Sequence, residues 1–170
     1  MTPRWRIEPL LRAHDRLRFD CGESALNEYL LRYARQNQDS GIARTFVAID
    51  DAQPGRVLGY YSLSVGAIDR ANLPPRAARR FPAFPVPIAR LGRLAVDRAM
   101  QRKGLGEDLM MDALCRSLGV SSEIGIVGVL VEAKHERAKR FYARYEFEAL
   151  ADQPLTLWLP MPAVQRLFVP

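Results

Sequence analysis

Between residues 22 and 37 the apolar positions Ala25, Leu26, Tyr29, Leu30, Tyr33 and Ala34 recur at i, i+1, i+4, i+5, i+8 and i+9, with polar residues between them. That period buries one face of a helix, so the spacing predicts an amphipathic helix with Ser24 or Asp20 as its cap. Residues 43–49 and 57–68 are rich in β-branched and aromatic side chains and flank a turn-forming Asp-Asp-Ala-Gln-Pro-Gly, which reads as a hairpin. Pro74, Pro75, Pro82, Pro85 and Pro87 fall within 72–87 and predict an extended loop there. A strand is expected over 88–96, a helix over 105–118, a buried strand over 124–133, a helix over 135–145, and a closing strand pair at 147–150 and 155–159. Strands joined through helices run parallel and hairpins antiparallel, so the fold class is α/β, a mixed sheet with helices on its faces. No repeat and no low-complexity tract interrupts this order.

At 170 residues, 48% hydrophobic and 26% charged, the chain suits one globular domain spanning residues 1–170. Its longest apolar stretches, such as 124–131, are strand length and short of the roughly 20 residues of a membrane helix, so no membrane partner is expected. The opening Met-Thr-Pro-Arg-Trp-Arg lacks the apolar core of a secretion signal, so a cytoplasmic location is expected. Cys21 and Cys115 have no neighbours at metal-ligand spacing and read as incidental thiols; no metal is expected.

Charge sharpens the picture. The formal net charge is +6, and arginine supplies 22 of the 25 basic residues. From Arg70 to Lys103 nine basic residues face one acid, Asp97. A coding bias toward arginine accounts for the Arg/Lys ratio but not for that clustering. A planar guanidinium fork matches phosphate oxygens, so Arg76, Arg79, Arg80, Arg90 and Arg93 are candidate contacts to a nucleic acid.

Candidate chemistry lies where strand 88–96 meets helix 105–118. Leu91-Gly-Arg-Leu-Ala-Val-Asp97 runs into Gln101-Arg-Lys-Gly-Leu-Gly106, a strand, a glycine-punctuated turn and a helix N-terminus. Gly104 and Gly106 let the backbone approach an anion closely, with the positive end of the helix dipole behind it, and Arg102 and Lys103 add charge. The spacing fits neither a dinucleotide GxGxxG nor a P-loop, since Lys103 precedes Gly104 and no Ser or Thr follows. The segment resembles the pyrophosphate-binding motif of the GNAT N-acetyltransferases, Gln/Arg-x-x-Gly-x-Gly/Ala, which holds acetyl-CoA.

The predicted element order is also similar to the GNAT fold. The resemblance implies that strands 88–96 and 124–133 splay, so that the pantetheine arm pairs with backbone of Leu94, Ala95 and Val96 like an added strand. Gln101, Arg102, Lys103, Gly104, Leu105 and Gly106 would hold the pyrophosphate, and Ala138, Phe141 and Tyr142 would complete the site. Phe19-Asp-Cys-Gly22, Gly41-Ile-Ala-Arg-Thr-Phe46, Gly59-Tyr-Tyr-Ser-Leu63 and Ala138-Lys-Arg-Phe-Tyr142 resemble, more narrowly, the GNAT toxins of type II toxin–antitoxin systems. That likeness spans nearly the whole chain. It implies acetylation of the α-amine of aminoacyl-tRNA, arrest of translation, and neutralisation by a ribbon-helix-helix antitoxin. The family's Phe-Tyr-x-x-x-Gly-Phe ending reads Phe141-Tyr-Ala-Arg-Tyr-Glu-Phe147 here, with Glu146 in the glycine position.

Acetyl transfer needs a neutral amine, a stabilised oxyanion and a proton for the leaving thiolate. An α-amino group titrates near 8, and an esterified one lower, so no strong base is required. Strand 88–96 accordingly carries no Glu or Asp, and the Val96 N–H is placed to polarise the thioester carbonyl. By resemblance Tyr142 is the general acid, against a plain reading as a packed helix tyrosine. Asp97 reads as a base or as a loop brace, Glu132 is ambiguous, and His14 and His135 lack catalytic partners at useful spacing, His135 falling at a helix start. Tyr29 and Tyr33, at i and i+4, read as core packing. Two other functions stay open: a GNAT acting on a protein amine, favoured by an acidic groove, and a non-enzymatic binding module on the same scaffold. A symmetric dimer joining two basic surfaces would suit a tRNA.

Overall fold

A computed structural model describes residues 5–83 and 85–169. Residues 1–4, part of the opening from which no secretion signal is expected, and Phe84 in the proline-rich stretch lie outside the described residues. The chain divides into two compact units, one running to Ser64 and taking in Gly92–Ala113, the other comprising Val65–Leu91 and Leu114 onward. Strands β3 (Gln53–Ile68) and β4 (Val86–Val96) and helix α4 (Leu105–Ser121) contribute to both.

In the first unit β1 (Trp5–Pro9) lies antiparallel to β2 (Arg44–Asp50), β2 antiparallel to β3, and β3 beside β4. Its core gathers Leu26, Tyr29, Leu30 and Ala34 against Val47, Ile49, Tyr60 and Ala95. Removing one such large apolar side chain from water contributes about 1.5–3 kcal/mol, which drives the predicted amphipathic helix onto the sheet. That helix is α1 (Ser24–Glu28), a π-helical turn (Tyr29–Tyr33) and α2 (Ala34–Asp39). The Ala34 N–H reaches back five residues to the Tyr29 carbonyl, and the extra residue in this turn keeps Ala34 on the core face while Tyr33 swings out, half exposed. Tyr29 packs as expected and Tyr33 does not. The expected cap is also corrected: Glu23 occupies the N-cap without a side-chain capping bond, and Asp20 instead accepts from Gly22 N–H and Asn27 Nδ2.

In the second unit β4 runs parallel to β5 (Gly128–Glu132), pairing Ala89–Leu91 with Val129–Val131. Beyond β5 come β7 (Gln153–Pro160) and β6 (Glu148–Leu150), both antiparallel additions. The strand order β1-β2-β3-β4-β5-β7-β6 is the mixed sheet that the alternation predicts. Trp158, fully buried, lies flat on Gly128, where a Cβ would come within 2.6 Å of its ring. Ile124 is exposed, so the strand expected from 124 begins only at Gly128. The proline-rich stretch is not wholly extended: Pro75 starts a short helix α3 (Pro75–Ala78), a position where its missing N–H costs nothing. Helix α6 (Met161–Phe168) was not expected at all.

Helix α5 (Glu136–Ala143) is followed by Glu146 at a φ of 72°, its N–H donating to the Ala143 carbonyl at 3.2 Å. A side chain in the left-handed region costs about 1–2 kcal/mol, partly offset by the extra freedom glycine would have in the unfolded chain. Glu146→Gly is therefore expected to stabilise the fold by about 0.5–1 kcal/mol, a rise of about 1–4 °C in Tm. A melting curve with no rise would show that the Glu146 side chain makes up the difference.

Candidate active site

The end of β4 and the start of α4 form the predicted strand, turn and helix. Arg102 (φ 64°) and Gly104 (φ 87°) both take left-handed backbone in the connecting turn. Left-handed residues alternating with right-handed ones aim successive N–H groups into one concavity, and α4 opens at Leu105 directly behind it. A Cβ built on Gly104 meets nothing within 4 Å, so the space over the turn is open. Arg102 and Lys103 are exposed beside it, and Gly106 lies in the first turn of the helix. Gln101 is placed differently from a direct ligand: its Nε2 donates to the Val96 carbonyl at 3.0 Å and the Cys21 carbonyl at 3.1 Å, folding the turn back onto the strand. Leu105 is buried and anchors the helix start, and Trp5 Nε1 donates to Asp108 in the first turn at 2.8 Å.

At the end of β4 the Asp97 N–H donates to the Leu58 carbonyl of β3 at 2.9 Å, while at its start the Pro87 carbonyl accepts from the Val127 N–H at 2.9 Å. Odd-numbered residues thus face β5 at one end and β3 at the other, so the alternation shifts register within the strand. The Val96 carbonyl is taken by Gln101.

Asp97 is a brace. Its carboxylate accepts from Ala99 N–H at 2.9 Å and Asp20 N–H at 3.1 Å, with Arg56 at 3.9 Å, and it is buried. The alternative of a base is thereby displaced.

In the second unit Tyr142 sits on α5, buried, with Phe141 edge-on at 5.1 Å and Phe147 at 5.6 Å between ring centroids. Its hydroxyl has no hydrogen-bond partner among the described residues. Burial penalises the phenolate and pushes the Tyr142 pKa above the ordinary 10, so the phenol keeps its proton across the physiological range. His135 caps α5, its Nδ1 accepting from Ala138 N–H at 3.2 Å, and His14 is buried against Glu8 at 2.7 Å. Both histidines are structural.

The five candidate arginines separate. Arg76 and Arg80 line one cavity of the second unit and Arg79 is exposed nearby in sequence. Arg90 is paired with Glu132 at 2.9 Å, which gives that ambiguous acid a partner. Arg93, in the first unit, lays its guanidinium 3.7 Å over the Tyr29 ring. Tyr29 thus backs the candidate Arg93 and Trp5 the first turn of α4, contacts that no local sequence signal carries.

Residues 41–149 match the acetyltransferase (GNAT) domain family. Over 155 residues, 91% of each chain, the protein is 40% identical to a tRNA-acetylating toxin of Mycobacterium tuberculosis. A tyrosine-to-phenylalanine mutant of KacT superposes with a TM-score of 0.93 at 34% identity, covering 98% of this chain and 100% of that one. AtaT complexed with acetyl-methionyl-tRNAfMet does so at 0.90 and 33%, covering 97% and 99%. AtaT bound to acetyl-CoA and the C-terminus of its antitoxin AtaR superposes at 0.84 and 30%, covering 99% and 100%. A domain match over more than half of the sequence, on a chain whose mixed sheet superposes on those structures, makes this protein a member of the GNAT acetyltransferase family.

Proposed function

We infer that the protein is an acetyl-CoA-dependent N-acetyltransferase that acetylates the α-amine of aminoacyl-tRNA and so blocks translation, the toxin of a toxin–antitoxin pair. The observation that carries this is the 40% identity to a tRNA-acetylating toxin along 91% of both chains. The turn from Gln101 to Gly106 supports pyrophosphate binding, and the backbone of Leu94, Ala95 and Val96 pairs strand-like with the pantetheine amides. The Val96 N–H polarises the thioester carbonyl; Ala138, Phe141 and Tyr142 complete the acetyl-CoA site from α5. The neutral amine attacks the carbonyl carbon, the C–S bond breaks, the amine releases its extra proton to water, and the thiolate takes the Tyr142 proton. A ribbon-helix-helix antitoxin, a symmetric dimer and a cytoplasmic location complete the proposal; no helix among the described residues is long and apolar enough to cross a membrane.

Incubation with bulk aminoacyl-tRNA and labelled acetyl-CoA is expected to place label on the aminoacyl ester. Label on protein amines alone would favour the protein-substrate alternative, and failure to bind acetyl-CoA would favour a non-enzymatic module. The arginines give a second check. Neutralising Arg76, Arg79, Arg80, Arg90 and Arg93 together is expected to weaken tRNA binding and lower the log–log salt slope by roughly 0.7 to 0.9 per lost contact. An unchanged slope would make the cluster a solvated surface.

A further inference from the structure

The second unit holds a cavity of about 570 Å³ whose lining includes none of the residues assigned to acetyl-CoA. Three kinds of group meet there. Phe81 offers a partly exposed ring, held edge-on by the buried Trp158 at 6.5 Å and fixed at its carbonyl by Arg70 Nη1 at 3.0 Å. Arg76, Arg80 and Arg166 supply guanidinium groups, of which only Arg76 has a carboxylate near it, Glu148 at 3.7 Å, among the described residues. Glu146 supplies a second carboxylate, from a residue kept in strained left-handed backbone. Strain of this kind persists where a side chain is held for a purpose.

We propose that this cavity takes an unpaired nucleotide of the tRNA substrate, its base against Phe81, its phosphates at Arg80 and Arg166, and its exocyclic amine on the Glu146 carboxylate. The inference rests on the aminoacyl-tRNA reading above and adds the place where tRNAs are told apart. A flat apolar ring, free guanidinium forks and a carboxylate acceptor answer the three chemical parts of a nucleotide. An acidic peptide would pair with the arginines but bring no donor to the Glu146 carboxylate, and a purely apolar segment would strip water from three arginines without pairing them. A carboxylate accepts from the amino groups of cytosine, adenine or guanine, whereas the two carbonyls flanking uracil N3–H repel it. The site therefore favours amino-bearing bases.

The test is acetylation kinetics on a panel of individually charged tRNAs, using wild type, Glu146→Gly, Arg80→Gln and Arg166→Gln. Glu146→Gly removes the carboxylate and relieves the backbone, so the fold is secure. It is expected to raise KM for the preferred aminoacyl-tRNA roughly 10-fold with kcat retained, and to level the ranking among tRNAs. The arginine variants are expected to raise KM for all tRNAs alike and to lower the salt slope by roughly 0.7 each. An unchanged ranking and KM in Glu146→Gly overturns the cavity assignment while leaving the substrate reading intact. Unchanged tRNA kinetics with loss of affinity for an antitoxin C-terminal peptide overturns it in favour of protein docking. Wild type that labels no aminoacyl-tRNA removes the substrate reading itself.

Discussion

Tyr142→Phe is expected to slow acetyl transfer by about 10² to 10⁴-fold while acetyl-CoA affinity stays nearly intact. The substitution deletes one hydroxyl and keeps the ring, so the edge-on contacts with Phe141 and Phe147 persist and the fold is not at stake. The loss falls on the step in which the C–S bond breaks. Because burial raises the Tyr142 pKa, the phenol stays protonated well past the pH at which an amine near 8 becomes neutral. Wild-type rate is therefore expected to climb with pH as the amine loses its proton, with no falling limb below about pH 10. A measured kcat unchanged in Tyr142→Phe would make Tyr142 a packed aromatic and move the proton donor to water. In cells, wild type expressed without antitoxin is expected to arrest growth, and the variant to relieve the arrest.

Gly104→Glu is expected to abolish acetyl-CoA binding in a folded protein. The free protein has room for the side chain, since nothing lies within 4 Å of a Cβ at this position. The φ of 87° still imposes a cost of about 1–2 kcal/mol on any side chain, within the usual stability of a domain. What the substitution destroys is the concavity: a carboxylate now occupies the open space toward which the N–H groups converge, and repels a pyrophosphate. Isothermal titration showing wild-type affinity, with a normal melting curve, would remove the basis for placing acetyl-CoA at this turn.

The legible parts of this fold were those whose pattern is local. Strand β4 and helix α4 stand out because an apolar run meets glycines and then a 3.6-residue period, and the cradle lies at their junction. The first helix was equally clear, but its π turn was not, because moving Tyr33 outward and Ala34 inward depends on the sheet beneath. Strand β1 was missed because Trp-Arg-Ile-Glu-Pro is an edge strand of five residues, ending in proline, and finds its place only by pairing with β2. Helix α6 was missed because Pro160 and Pro162 look like breakers, yet proline at a helix start is well tolerated. At the site, Gln101 to Gly106 could be read directly, and Tyr142, proposed as the acid, came through family likeness. The partners of Arg90, Arg93 and Gln101 could not be read, since Glu132, Tyr29 and the Cys21 carbonyl are brought to them only by folding.

The proposed pairing of acetyl-CoA with the backbone of Leu94 and Val96 has a consequence for inhibition. A main-chain donor is encoded by no codon in particular, so a thioester mimic that pairs with this edge offers selection almost nothing to change. Leucine, valine, isoleucine or methionine at either position would leave the same N–H in place. Proline alone deletes it, and at Val96 proline would delete the donor proposed to activate the natural thioester as well. An escape mutant at that position would therefore disarm the enzyme it was meant to protect.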